Sequence, residues 1–286
     1  MIIDAHTHIF SPKQIKSRNF LIENDISFSS IYSNDKSLLA SGDDLLASMS
    51  KSKVDLSVIL GFQWSQENQY DIHAQYLLDQ QSKFPEKFVC FVPFSINSFN
   101  DIGSKVRDMY IAGAKGFGEI RINEDIDRKV FIHKILPELI ESMSKYDLLI
   151  NFHTTEPVGH EYPGKSGGLS LRNIWNMLKD EHLQEINMIA SHFGAGLPMY
   201  AAMPEVLKKL NSQKIYFDTS AFQFLYDHVA LENAVKSLGS SKFIWGSDYP
   251  LINQKKDLEF FSNLNITSRE RNDILGKNMT NILGLS

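Results

Sequence analysis

The chain has 286 residues, of which 43% are hydrophobic and 22% charged, a composition that is ordinary for a soluble globular protein and excludes a largely disordered chain. A net charge of −5 at pH 7 provides no basic field for nucleic acid or an anionic membrane, so neither partner is expected. The single cysteine, Cys90, excludes an intrachain disulfide framework, and no apolar run approaches the ~18–20 residues of a membrane span. We therefore expect a cytoplasmic protein.

The chain opens with an apolar run that ends in two histidines, His6 and His8. Alternation along a strand turns residues i and i+2 to the same face, so both imidazoles can reach one divalent ion. Random placement of nine histidines would produce about 0.3 such pairs in a chain of this length, so the pair alone is weak evidence for a metal site. The rest of the sequence must show whether these two histidines belong to a metal site or occur together by chance.

Residues 9 to 42 have no clear helical or strand periodicity and are predicted to form a long loop. Helices and strands alternate after it. Helices are predicted from residue 43 onwards and at 66–83, 101–112, 128–145, 171–180, 199–210 and 231–238. Strands are predicted at 54–60, 88–94, 114–122, 148–153, 186–192, 215–220 and 243–248. A capping box at Thr267 and Glu270 predicts a closing helix.

With the first strand, the pattern contains eight strands, each followed by a helix apart from the long first interval. Successive strand ends lie roughly 30 to 40 residues apart, which is typical of βα units in a parallel sheet. Eight such units predict a closed (β/α)8 barrel in a single domain over residues 1–286. An open doubly wound sheet is the alternative, but the first strand runs into His-Thr-His where that fold has a Gly-rich phosphate loop.

Polar side chains stand where the predicted strands end, which in a barrel is the face that carries the chemistry. Those that can ligate a metal are His6, His8, Glu119, His153, His192 and Asp248. Each has a structural alternative, since a lone histidine is often only hydrogen-bonded and Glu119 can pair with Arg121 or Lys115. A coincidence would require four of nine histidines to fall on one face beside two carboxylates, so the joint pattern favours a metal site.

This set resembles the metal-dependent amidohydrolase superfamily, in particular the branch that contains aminocarboxymuconate semialdehyde decarboxylase. The resemblance rests on the motifs Asp-Ala-His-Thr-His, Ala-Lys-Gly-Phe-Gly-Glu, Ser-His-Phe-Gly, Gly-Ser-Asp-Tyr-Pro and Ile-Leu-Gly-Lys-Asn, and it spans nearly the whole chain. It implies that one divalent ion is held by His6, His8, His153 and Asp248. It leaves His192 as a further ligand or as a neighbour of the ion.

Zinc is the expected ion because three imidazoles and a carboxylate suit it, with manganese as an alternative. Glu119 leaves a second ion open, because a glutamate on the fourth strand bridges two ions in some related barrels. We expect one ion. The resemblance implies that it lowers the pKa of a water to about 7. Asp248 or His192 then takes the water's proton and returns it to the leaving group.

Hydrolysis of a C–N or C–O bond in a small amide, lactone or ester is the main functional expectation. The alternative is nonoxidative decarboxylation of an unsaturated or aromatic acid, which would use the same metal site. A barrel that binds a ligand without catalysis is a third possibility, disfavoured because every expected ligand type is present. The fold alone does not choose among these functions.

The substrate is expected to be a small polar, carboxylated molecule that is recognised by loops on the same face of the barrel. The segment after the fifth strand carries the predicted contacts His160, Tyr162 and Lys165, although a solvated loop explains them equally well. Arg121 is a predicted anion contact, and Trp64 is a predicted apolar wall for which core packing is the alternative. The resemblance also suggests a homodimer, although no periodic apolar surface stripe indicates one.

Overall fold

The computed structural model describes residues 1–95, 101–122, 128–165, 167–179 and 186–285. Eight parallel strands form one sheet in chain order, and each pairs with the next. The strands are β1 Ile3–Thr7, β2 Leu56–Leu60, β3 Phe88–Val92, β4 Gly116–Ile120, β5 Leu149–Phe152, β6 Met188–Ala190, β7 Ile215–Asp218 and β8 Phe243–Ile244.

The first and last strands meet and bring the sheet close to a full cylinder. The amide of Ala5 donates to the carbonyl of Trp245 at 2.9 Å, and Thr7 forms a parallel bridge with Tyr249. The amide of Asp248 donates to the carbonyl of His6 at 3.0 Å. These contacts confirm the predicted (β/α)8 barrel, and they bring the histidines of β1 beside Asp248.

The segment after β1, predicted as a long loop, instead contains three short helices. They are α1 Pro12–Lys16, α2 Arg18–Asn24 and α3 Ile26–Tyr32. The prediction was wrong because helices of five to seven residues are too short to show a hydrophobic period. Caps define two of them: Ser11 forms a capping box with Gln14, and the Asp25 carboxylate accepts the amide of Phe28.

Helices cover the barrel outside this insertion. Those from the first half of the chain are α4 Gly42–Ser52, α5 Glu67–Lys83, α6 Ile102–Ile111, α7 Arg128–Val130 and α8 Leu136–Ser144. Those from the second half are α9 Leu171–Met177, α10 Ser191–Gly194, α11 Pro204–Ser212, α12 Phe222–Leu225, α13 His228–Leu238, α14 Gln254–Ser262, α15 Ser268–Asn272 and α16 Asn278–Ile282. The predicted helix at 199–210 is divided between a 3₁₀ turn and α11. Residue 180, the predicted end of another helix, lies outside the described residues.

The helical insertion packs on the barrel through an aromatic cluster that contains Phe10, Phe28, Phe62 and Trp64. Phe28 stacks on Trp64 with ring centroids 5.5 Å apart and an interplanar angle of 4°. The buried carboxylate of Asp25 also accepts the amides that follow Trp64, which ties the insertion to the loop after β2. The insertion therefore forms a wall above the carboxyl ends of the strands.

All five residues of each of β1, β2 and β3 are buried, as expected for strands covered by helices on the outside. Within the described part of the chain, no helix combines the length and the apolar character needed to cross a lipid bilayer.

Candidate metal centre

Three side chains from the two ends of the sheet form a first group of potential ligands. The Nε2 atoms of His6 and His8 lie 3.0 Å apart. One carboxylate oxygen of Asp248 lies 3.6 Å from Nε2 of His6 and 3.7 Å from Nε2 of His8. Two nitrogens and one oxygen therefore surround a single point, at separations that one ion can span.

A second group stands beside the first and contains Glu119, His153 and His192. One oxygen of Glu119 lies 2.9 Å from Nδ1 of His153 and 3.3 Å from Nε2 of His192, and these two nitrogens are 3.1 Å apart. The other oxygen of Glu119 lies 3.7 Å from Nε2 of His8. Glu119 therefore connects the two groups, and His153 contacts Glu119 and His192 rather than standing among the side chains of the first group.

Unusual backbone conformations at two residues and a glycine at a close contact allow these side chains to pack together. His192 and Asp248 both have positive φ, of 53° and 62°, a region that side chains other than glycine enter only at a cost. At Gly246 a Cβ would lie only 2.7 Å from Cβ of His6. The absence of a side chain at Gly246 therefore lets the segment after β8 approach β1 closely.

Three imidazoles use the nitrogen that points away from the centre to donate to an acceptor. Nδ1 of His6 lies 2.9 Å from the Asp218 carboxylate, and Nε2 of His153 lies 2.7 Å from the carbonyl of Gly164. Nδ1 of His192 lies 3.2 Å from the carbonyl of Ser220. Because carbonyl and carboxylate oxygens only accept, these nitrogens carry a hydrogen, and each ring presents a lone pair to the centre whenever it is neutral.

The residues present fit a divalent ion. In their neutral forms His153 and His192 direct nitrogen lone pairs at each other over 3.1 Å, an arrangement that repels unless a proton or a cation lies between them. The Nε2 atoms of His6 and His8 lie 3.0 Å apart, close enough for one ion to bind both. Imidazole nitrogens and carboxylate oxygens are donors that zinc and manganese accept. His8 Nδ1 is buried and has no hydrogen-bond partner among the described residues.

Carboxylates dominate the electrostatics of this centre. Burial alone would lower the pKa of His6, but the charges of Asp218 and Glu119 outweigh it and raise this pKa to about 9. Burial also lowers the pKa of His192, but the hydrogen bond and the charge of Glu119 outweigh it and raise this pKa to about 10. The pKa of Glu119 lies well below its usual value, since the neighbouring histidines outweigh burial. The pKa of His8 is lowered by burial and by His6. The centre thus favours bound positive charge.

A cavity of about 470 Å³ opens above these groups. Of the predicted substrate contacts, Arg121, His160 and Tyr162 line it. Lys165 instead binds its own loop, where its Nζ donates to the carbonyls of Gly159 and His160 at 3.2 and 3.0 Å. The described lining does not include Lys165.

The described lining does not include Trp64 either, because this side chain is buried in the aromatic cluster. The apolar wall of the cavity is built by other side chains, from the insertion and from the loops after β2, β7 and β8: Ile31, Leu38, Phe62, Phe224, Leu225 and Leu251.

Two residues beside the centre were not expected from the sequence. Asp218 is the last residue of β7 and is wholly buried under His6. A polar residue at the end of a predicted strand is the signal that could have identified it. Tyr32 lines the cavity from the insertion, and nothing in the sequence pointed to it because α3 was not recognised.

A model of the amidohydrolase family matches residues 3–285 of the chain. No curated protein matches the sequence. Solved structures match the fold at low sequence identity. One is 5-carboxyvanillate decarboxylase from Novosphingobium aromaticivorans, complexed with manganese and 4-hydroxy-3-methoxy-5-nitrobenzoic acid, with a TM-score of 0.76 and 12% identity over 100% of this chain and 96% of that chain.

The fold is also similar to 2,6-dihydroxybenzoate decarboxylase from Rhizobium, with a TM-score of 0.71 and 14% identity over 99% of this chain and 98% of that chain. A probable 2-pyrone-4,6-dicarboxylic acid hydrolase from Acinetobacter baumannii has a TM-score of 0.69 and 15% identity over 99% of each chain. At these identities the likeness concerns the fold, while the family model covers nearly all of the sequence. The resemblance noted from the motifs is confirmed: the chain belongs to the amidohydrolase family.

Proposed function

We propose that this protein is a metal-dependent enzyme that removes a carboxyl group, without oxidation, from an aromatic or unsaturated acid. The observation that carries the proposal is the bottom of the cavity, where imidazole nitrogens and carboxylate oxygens converge beneath a wall of apolar side chains. The decarboxylases among the structural neighbours, one of them complexed with manganese, support this reaction class. The reaction is the alternative of the sequence-based hypothesis, and we now prefer it to hydrolysis.

We assign one divalent ion to His6, His8 and Asp248, beside which one oxygen of Glu119 lies 3.7 Å from Nε2 of His8. His153 remains a predicted ligand whose Nδ1 is directed at Glu119. When bound, the ion supplies a Lewis acid that holds and polarises an oxygen of the substrate. Manganese and zinc both match these donors.

The remaining side chains bind the acid and supply a proton. Arg121 lies in the wall and offers its charge to a carboxylate or phenolate, while Phe62 and Leu225 contact the apolar ring. The bond between the ring carbon and the carboxyl carbon breaks, CO₂ leaves, and the electron pair stays on the ring carbon. His192 protonated on both nitrogens, the form favoured by its raised pKa, then gives the proton of Nε2 to the ring carbon in place of the carboxyl group and is left neutral with its hydrogen on Nδ1.

Hydrolysis of a C–N or C–O bond is the second candidate, and the position of Asp248 favours it. Its carboxylate stands beside both imidazoles of β1 and can accept a proton from a water molecule there. One structural neighbour has the name of a probable pyrone dicarboxylic acid hydrolase.

The two reactions differ in their products, so a substrate test separates them. Purified protein, loaded with Mn²⁺ or Zn²⁺, is incubated with 5-carboxyvanillate, 2,6-dihydroxybenzoate or 2-pyrone-4,6-dicarboxylate. Release of CO₂ and product structure are followed by ¹³C NMR. We expect CO₂ from an aromatic acid. Ring opening of the pyrone without CO₂ release would instead establish the hydrolase, and no turnover of any acid by metal-loaded protein would contradict the proposed substrate class.

Matched variants test the roles of the residues. His192→Asn is expected to lower turnover by about 10²- to 10⁴-fold, the usual loss when a general acid is removed. His228→Asn removes an exposed histidine and should leave turnover unchanged. Arg121→Met should mainly raise KM, whereas the exposed control Arg172→Met should not. Equal effects in a variant and its control would contradict the assigned role.

A further inference from the structure

Asp218 lies under the metal centre and contacts both groups of potential ligands. It is the last residue of β7, has no solvent exposure, and receives hydrogen bonds on both carboxylate oxygens. One oxygen lies 2.9 Å from Nδ1 of His6. The other accepts the backbone amides of His192 and Ser220 at 2.9 and 3.0 Å, and also the hydroxyl of Ser220. All described contacts are therefore with groups that can donate.

These contacts fix the direction of each hydrogen bond. A carboxylate has no hydrogen to give, so Nδ1 of His6 must be the donor. The Ser220 hydroxyl has one hydrogen, and it is directed to Asp218. Its lone pair, 3.0 Å from Nδ1 of His192, must therefore accept a hydrogen from that nitrogen.

A second hydroxyl is compatible with the same orientation of His6. Ser191 Oγ lies 3.1 Å from the side-chain oxygen of Asn151, which accepts its hydrogen, and 3.3 Å from Nδ1 of His6. A lone pair of the Ser191 hydroxyl can then accept the hydrogen on Nδ1 of His6. Ser191 and Asp218 therefore favour the same position for this hydrogen. His6 Nδ1 therefore faces two acceptors and no donor among the described residues.

We infer that Asp218 is a positioning residue that holds the neutral forms of His6 and His192 with hydrogen on Nδ1 and the Nε2 lone pair facing the centre. It acts on His6 directly and on His192 through the Ser220 hydroxyl, which accepts the hydrogen of Nδ1 together with the Ser220 carbonyl, at 3.0 and 3.2 Å. The inference deepens the proposed function, because it concerns how the assigned metal site is oriented. Groups that orient metal-binding histidines typically contribute about 10- to 100-fold to metal affinity.

The first test reads the imidazole hydrogens without a metal. Protein labelled with ¹⁵N-histidine, free of metal, is examined by NMR for slowly exchanging Nδ1–H signals. We expect Asp218→Asn to lose or shift the signals of both His6 and His192. Ser220→Ala should shift the signal of His192 without abolishing it, because the backbone carbonyl of residue 220 remains an acceptor, and should leave the signal of His6 unchanged. Asp257→Asn is the control and should keep both signals, because among the described residues this buried carboxylate accepts from Trp245 and Gln223 and contacts no histidine.

The second test measures Zn²⁺ affinity by competition with a chelator. Asp218→Asn is expected to bind Zn²⁺ about 10- to 100-fold more weakly than the wild type. Ser220→Ala should bind with wild-type affinity, since His192 is not assigned to the ion. Unchanged signals and affinity in Asp218→Asn would overturn the inference, as would loss of the His6 signal in Ser220→Ala.

The two tests remain informative if one part fails. If Asp218→Asn does not fold, Ser220→Ala still tests the path to His192. If the wild type binds neither Zn²⁺ nor Mn²⁺, the proposed function fails, while the NMR signals still decide whether Asp218 orients the two rings.

Discussion

Gly246 offers a direct test of how closely the centre depends on contact between the two ends of the sheet. A methyl group at this position would lie 2.7 Å from Cβ of His6, where ordinary contacts begin at 3.4 Å. The two segments must therefore separate by about 0.7 Å in Gly246→Ala, if the whole shift occurs along this contact. His6 cannot yield easily, because its carbonyl accepts the amide of Asp248 at 3.0 Å.

A shift of this size exceeds the ±0.2 Å within which metal–ligand distances usually hold. We expect Gly246→Ala to lose about 1–3 kcal/mol of unfolding free energy through overpacking. We also expect its affinity for Mn²⁺ or Zn²⁺ to fall by at least about 10-fold, as when groups supporting a metal ligand are disturbed. Urea unfolding of metal-free protein and a metal titration measure the two effects separately.

Gly103→Ala is the matched control, because an added Cβ at this position in α6 would lie 3.7 Å from the Ser142 hydroxyl, an ordinary contact. It should retain wild-type metal affinity. If Gly246→Ala binds metal as tightly as the wild type, then the spacing between β1 and the segment after β8 does not control the site, and the assignment of His6 and Asp248 to one ion is refuted.

Three further predictions concern the metal count, pH and the buried thiol. Elemental analysis should find one ion per chain in the wild type and in Glu119→Gln; two ions in the wild type and one in the variant would instead establish a bridging carboxylate. Burial raises the pKa of Asp257 from 3.8 to about 7, although Trp245 and Gln223 donate to it. The folded state then keeps a proton that the unfolded chain releases, so stability falls as pH rises from 3.8 through about 7. Asp257→Asn should show a shallower fall in urea unfolding, and equal slopes would contradict this. Burial also raises the pKa of the Cys90 thiol, so a thiol reagent should modify it only as the protein unfolds; rapid modification of the native protein would contradict its burial.

The sequence was informative where a pattern is local. Alternating hydrophobic periods predicted the strands and most helices, because a half-buried helix and a buried strand repeat their apolar residues at different intervals. Active sites of such barrels lie at the carboxyl ends of the strands, and this rule selected six side chains from the sequence. The structure brings all six together at the bottom of one cavity. Residues in the insertion escaped detection, because helices as short as α1 are defined by caps and by packing rather than by periodicity.

Which side chains contact one another was decided only by the tertiary structure. The closure of the barrel brings β1 beside Asp248, and the left-handed backbone at His192 directs this ring towards Glu119. Neither contact can be predicted from the spacing of residues along the chain, because a shift of one residue in the end of a strand turns a side chain to the opposite face. The sequence thus determined the type of fold and the kinds of ligand. The pairing of His153 with Glu119, and the position of Asp218 beneath the centre, depend on contacts between distant segments that form only when the sheet closes.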